Sequence, residues 1–166
     1  FGEFLNGLGE QAQTEDFHLV VMPSDPADEV TALRSLATSG YVDGLCLAYI
    51  RENDQRIELM ESFGLPFIVH GRFFDAPHAY PSLDVDNEAA FYDATRLLLQ
   101  LGHRRIALIN GDENFGFAIR RRDGVAKACR EAGLALEPRF HVSTQMTEAD
   151  GQRAAERFLA LDETPS

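Results

Sequence analysis

The chain has 166 residues, 45% of them hydrophobic, and carries 27 Asp and Glu against 15 Lys and Arg, a formal net charge of −12. That apolar content suffices for a packed core and excludes a disordered chain, while no apolar run approaches the roughly 20 residues that cross a bilayer. The negative field repels polyanions, so this segment is not expected to bind DNA by itself.

Phe1, Phe4, Leu5, Leu8 and Ala12 fall at helical spacing, so the chain opens in an amphipathic helix with neither a basic leader nor a secretory cleavage pattern. No strand precedes it, which is odd for the first element of an alternating layout. His18 to Met22 reads as a strand, and Pro23 to Pro26 as a loop leading into a helix that carries Val30, Leu33, Leu36 and Ala37 and stops at Gly40. Leu45 to Ala48 is the next strand, Asp54 to Phe63 the next helix with its stop at Gly64, and Pro66 to His70 the strand after it. Gly71 to Pro81 holds two prolines together with Phe73, Phe74, His78 and Tyr80, a composition more typical of a site or an interface than of a plain turn.

Asp86 and Asn87 are good N-cap residues for a helix whose apolar face would be Ala90, Ala94, Leu97, Leu98 and Leu101. Gly102 ends that helix, and Ile106 to Ile109 is a short unbroken apolar run. Such a run belongs in a parallel sheet covered on both faces, since a half-solvated strand would alternate. A helix from Ala118 to Ala132 follows, its buried side Val125, Ala128, Cys129 and Ala132, then Gly133, a His141 to Ser143 strand, and a last helix from Thr147 to Leu161. Helices stopping at glycine and leading within about five residues into apolar strands give a doubly wound α/β chain, whose ligands sit beyond the carboxyl ends of the strands.

Charge is uneven along the chain. Residues 1–85 hold 14 acidic and 4 basic residues, and residues 86–166 hold 13 and 11, which suggests a seam near Asp86. Cys46 and Cys129 lie in apolar runs and read as core thiols, consistent with a reducing compartment.

Motifs for chemistry are mostly missing. Gly111 and Gly116 have phosphate-loop spacing but lack the Lys-Ser/Thr pair, and there is neither G-x-G-x-x-G nor G-x-S-x-G. His70 and His78 flank one loop without a cysteine nearby, so no metal or other cofactor is expected. Arg120-Arg121-Arg122 is the densest positive cluster. Consecutive helical residues point about 100° apart, so one or two at most can face a single site, and a solvated patch is the competing reading. Arg72 stands at the end of an apolar strand, on the ligand-binding edge of such a sheet.

Five stretches then resemble one family in order and spacing. Val42-Asp43-Gly44-Leu45 is similar to "VDGLI", and Pro66-Phe67-Ile68-Val69-His70-Gly71-Arg72 to "PVVLIDR". Asp84 to Ala90 is similar to "VDVDNEAG", Leu101 onward reads "LGHRRIALI", and Arg121-x-Asp123-Gly124 is similar to "R-x-E-G". Together they resemble the effector-binding core of LacI-type bacterial transcription regulators, which is related to periplasmic sugar-binding proteins.

The resemblance implies two Rossmann-like lobes of the periplasmic-binding-protein-like type, parallel sheets flanked by helices, with residues 1–85 in the first lobe and 86–166 in a partial second. It implies a first strand and a helix-turn-helix headpiece before Phe1, operator DNA bound through that headpiece, a homodimer, a cytoplasmic location and no membrane partner. A chain cut in this way is not expected to be stable in isolation. The effector would be a small sugar held by Phe1, Tyr49, His70, Gly71, Arg72, Phe117 and Arg121. Gly71 departs from the family's usual Asp, which removes an acceptor that Arg72's donors would offset, and this variant suggests an α-glucoside. Phe117 stands where some members place a small polar contact, and for Phe1 and Phe117 ordinary core packing is the competing reading. A periplasmic transport receptor of the same fold is the first alternative. An α/β enzyme on a small polar substrate is the distant one, because no nucleophile, base or metal set supports it.

Overall fold

The computed structural model describes residues 2–25, 27–72 and 79–166. The chain separates into two compact units, Phe1–Val42 and Asp43–Ser166. The first holds α1 (Gly2–Thr14) and α2 (Glu29–Thr38), neither of which buries a residue completely. The strand expected at His18 to Met22 is not formed. A strand exists through its hydrogen-bonded ladder, and residues 18–22 pair with no other described segment, leaving Val20 and Val21 each 55% exposed.

The second unit carries two parallel sheets. In the first, β1 (Leu45–Leu47), β2 (Phe67–His70) and β3 (Ser82–Leu83) lie in that order, with Leu45 opposite Phe67 and His70 opposite Leu83. In the second, β4 (Leu108–Asn110) pairs with β5 (His141–Ser143), Asn110 opposite Ser143. The two-residue β3 follows the Gly71 to Pro81 loop, at residues to which no element was assigned. α3 (Gln55–Ser62) joins β1 to β2, α4 (Asn87–Gln100) leaves β3, and α5 (Gly116–Glu131) leaves β4. A short 3-10 turn at Pro138–Phe140 precedes β5, and α6 (Glu148–Leu159) follows it. The glycines expected to end helices do so: Gly40, Gly64, Gly102 and Gly133 all have positive φ, where a Cβ would clash.

The parallel pairing agrees with the apolar strand runs. β1, β2 and β4 alternate: Leu45, Leu47 and Val69 are buried, whereas Cys46 and its register partner Ile68 are exposed, as is Ile109 between Leu108 and Asn110. Cys46, expected inside, is therefore not a core thiol. Cys129 is, in a cluster with Leu99, Ile106, Leu108, Val125 and Ala128.

α4 turns a different side inward from the one expected. Its leucine stripe faces outward, with Leu97 56% and Leu101 68% exposed, and the buried line is Asn87, Thr95 and Leu99, with Phe91 and Tyr92 packed on the core. Polar residues occupy that line because their partners are local: Thr95 Oγ1 donates to the Phe91 carbonyl at 2.7 Å, and Asn87 Nδ2 donates to that of Val85 at 3.0 Å. α5 starts two residues earlier than expected, and Ala132, expected inside, caps its exposed end.

Candidate functional site

Three loops meet at the carboxyl ends of the strands. The loop after β1 runs through Tyr49, whose φ of 56° is left-handed, and Ile50 to Asp54, which caps α3 by accepting from the Arg56 amide. The chain leaving β2 passes Gly71, whose N–H donates to the Leu83 carbonyl at 2.9 Å and whose φ is 108°. The loop after β4 brings Phe115 opposite Arg51 in an isolated antiparallel bridge, and the Gly116 N–H donates to the Ile50 carbonyl at 3.1 Å. A Cβ at Gly116 would stand 3.1 Å from the Arg72 carbonyl oxygen, so glycine lets the start of α5 approach the end of β2 closely.

These approaches assemble an aromatic cluster. Phe115 and Phe117 stack with centroids 5.9 Å apart and planes 8° from parallel, and Tyr49 tilts against them at 5.6 and 6.4 Å. Arg121 stands one helical turn beyond Phe117 and lays its guanidinium 4.9 Å from the Phe117 centroid and 5.1 Å from that of Phe91. Its Nε donates to Asn87 Oδ1 at 2.9 Å, which fixes the plane of the fork. Burial lowers the pKa of Arg121 and the charge of nearby Asp84 opposes that shift; an arginine stays a cation regardless.

The two neighbouring arginines are committed elsewhere. Arg120 lies 3.5 Å from Glu88, and Arg122 holds Glu113 at 2.5 Å and Asp123 at 2.8 Å. Only the central member of the triplet faces the aromatic cluster, as the helical angle requires. His103 to Arg105 is a surface turn rather than a basic site, since the Arg104 amide donates to Ser166 Oγ and the Arg105 guanidinium to the Thr164 carbonyl.

Of the expected residues, Tyr49, Phe117 and Arg121 are therefore brought together, Gly71 and Arg72 border them through their backbone, and His70 stands partly buried at the end of β2. Phe1 and the Phe73 to His78 stretch lie outside the described residues, so the His70–His78 pairing does too. Among the described residues no group of three His, Cys, Asp or Glu is placed to hold a metal, and no helix is long and apolar enough to cross a membrane. A cleft of about 470 Å³ opens beside the start of α4, lined by charges of both signs, including Arg72, Asp84, Glu88, Arg120 and Lys127, together with Asn87. Tyr49, Phe117 and Arg121 are not in its wall. The chemistry concentrates at the aromatic and guanidinium cluster next to it, where π faces and oriented donors converge.

Sequence reasoning missed three contributors. Phe115 completes the aromatic stack, Asn87 orients Arg121 rather than capping a helix, and Asp54 and Arg56 form a buried pair under the Tyr49 loop. The alternate phenylalanines of Phe115-Gly116-Phe117 were a legible signal for the first of these. The other two depend on partners 34 and 7 residues away, which spacing does not reveal.

The family model described as "Periplasmic binding proteins and sugar binding domain of LacI family" matches residues 1–166. The "HTH-type transcriptional regulator AglR" of Rhizobium meliloti is 51% identical over 166 residues, covering 100% of this chain and 47% of that protein. A solved LacI family transcriptional regulator from Bifidobacterium animalis superposes with a TM-score of 0.82 at 29% identity, covering 97% of this chain and 59% of that one. A transcriptional regulator CelR-cellobiose complex superposes with a TM-score of 0.78 at 25% identity, covering 91% and 46%. The chain spans about half the length of the curated relatives it matches.

Proposed function

Because the chain belongs to the family of periplasmic binding proteins and LacI-type sugar-binding domains, we propose that it is the effector-binding core of a bacterial transcriptional regulator that responds to a small sugar. The observation that carries this reading is the juxtaposition of Tyr49 and Phe117 with an Arg121 guanidinium whose plane is set by Asn87. A sugar presents a C–H face that stacks on aromatic rings and hydroxyls that need directional donors, and this cluster offers both. Tyr49, His70, Gly71 and Arg72 would supply the first-lobe side of the site, and Phe117 and Arg121 the second, with the lobes meeting near Asp86. Phe1 is retained as a further aromatic contact.

The solved CelR-cellobiose complex supports a disaccharide as the effector class, and the Gly71-Arg72 variant an α-glucoside. Ligand binding would shift the population between DNA-competent and incompetent forms of a cytoplasmic homodimer whose operator contacts come from a headpiece outside these residues. The relatives reported above are transcriptional regulators, which supports a chain without catalytic activity. The test is operator binding by the full-length protein, read by gel mobility shift with maltose, sucrose, trehalose, cellobiose, purines and phosphosugars. A change with at least one disaccharide is expected, and a response confined to purines would overturn the carbohydrate assignment.

A further inference from the structure

We propose that the buried Asp54–Arg56 pair is a positioning device that holds the Tyr49 loop in its ligand-binding shape, so that these two residues set sugar affinity without touching the sugar. The proposal rests on the reading of Tyr49 as a ligand contact.

Asp54 and Arg56 expose only 2% and 4% of their side chains. Capping α3 needs a single acceptor for one first-turn amide, and a serine would supply it. Asp54 does more. Its Oδ1 accepts from the Arg56 amide at 3.1 Å and from Arg56 Nε at 2.8 Å, while its Oδ2 accepts from the Arg51 amide at 3.1 Å and from Arg56 Nη2 at 2.5 Å. The same Nη2 donates to the Tyr49 carbonyl at 2.8 Å. One guanidinium and one carboxylate thus tie residues 49, 51, 54 and 56 into a closed ring.

The segment so tied is one that needs holding. Tyr49 and Asn53 both have left-handed φ, at 56° and 54°, a region disfavoured for residues with a side chain and especially for a bulky aromatic. Tyr49 presents its ring to Phe115 and Phe117, and the next residue, Ile50, offers its carbonyl to the Gly116 N–H. Loss of the ring would release both contacts at once. A buried bidentate pair is retained at a desolvation cost, and its geometric return is here a fixed loop rather than a packed core.

The test uses the full-length protein with Arg56→Met, Arg56→Lys, Tyr49→Ala and the Arg56→Met/Tyr49→Ala double variant. Met60→Ala, a buried position on the same helix, serves as a stability-matched control. Amide hydrogen exchange at residues 49–53 reports the loop without any ligand, and calorimetry with the disaccharide panel reports affinity. Arg56→Met should speed exchange in the loop relative to Met60→Ala and weaken the tightest disaccharide about tenfold, and the double variant should bind within about twofold of Tyr49→Ala alone. Arg56→Lys keeps the charge, loses the fork, and should fall between Arg56→Met and the parent; it decides the matter should Arg56→Met fail to fold. Unchanged loop exchange in both Arg56 variants, or effects of Arg56→Met and Tyr49→Ala that multiply in full, would overturn the positioning role alone. Unaltered affinity in Tyr49→Ala, or no disaccharide binding by the parent, would instead remove the ligand-contact reading and the proposal with it.

Discussion

At Gly124 α5 approaches the α4 backbone closely, which makes a demanding test of the packing behind the site. A Cβ placed there would lie 2.3 Å from the Glu88 carbonyl oxygen and 3.0 Å from the Tyr92 amide nitrogen, both backbone atoms that cannot rotate away. The first distance is about 1 Å short of a tolerable contact, so Gly124→Ala must push the helices apart. Helix propensity alone would favour alanine by about 1 kcal/mol, whereas overpacking a rigid contact costs about 1–3 kcal/mol, so the second effect should win. A clash this short belongs at the upper end of that range, so the net loss is about 2 kcal/mol and the Tm falls by several degrees, at about 2–4 °C per kcal/mol for a domain of this size. The Asn87–Arg121 hydrogen bond at 2.9 Å spans the same two helices, so sugar affinity should fall as well. Thermal and urea unfolding of the full-length variant, followed by ligand titration, read both effects. A Tm equal to or above that of the parent would refute the close approach of the helices and the reasoning built on it.

Phe140 is fully buried, edge-on to Phe158 at 6.5 Å, and Phe140→Ala should cost about 3–5 kcal/mol in urea unfolding. Asn87→Ala removes the acceptor that orients Arg121, and should lower sugar affinity by about tenfold while costing about 1–2 kcal/mol of stability. Asp54 gives a pH signature. Burial tends to raise its carboxyl, but hydrogen bonds from Arg56 and the Arg51 amide, with the Arg56 charge, hold it below the usual carboxylate value. A depressed folded-state value contributes stability in full above the unfolded value of about 3.9 and loses it as pH falls through the folded one. The stability difference between parent and Asp54→Asn, measured by urea unfolding, should therefore be constant near neutrality and shrink below about pH 4.

Much of the architecture was legible because helix stops and strand runs are local signals. Gly102 and Gly133 ended helices where their freedom at positive φ was needed, and Leu108 and Ile109 entered a parallel sheet. What was not legible depended on partners. The leucines at positions 97, 98 and 101 look like a buried stripe by hydrophobicity, yet α5 packs on the line of Asn87, Thr95 and Leu99, because Gly124 allows close approach there. His18 to Met22 has the composition of a strand without a ladder partner among the described residues. At the site, helical geometry alone left Arg120, Arg121 and Arg122 undistinguished and the R-x-E-G resemblance singled out Arg121; the flanking two are held by Glu88 and Glu113. Asp54 was legible only as the start of a helix, since its role as a clamp is defined through Arg56 by the Tyr49 carbonyl.

The most direct measurement of the central claim is calorimetric titration of the full-length protein and its Arg121→Ala variant with maltose, sucrose, trehalose and cellobiose. The parent should bind at least one disaccharide saturably, and the variant should lose about tenfold to a hundredfold in affinity, as expected for a charge-assisted hydrogen bond of about 1.5–3 kcal/mol. A variant that binds the same sugar as tightly as the parent would contradict the placement of the ligand at the Arg121 cluster.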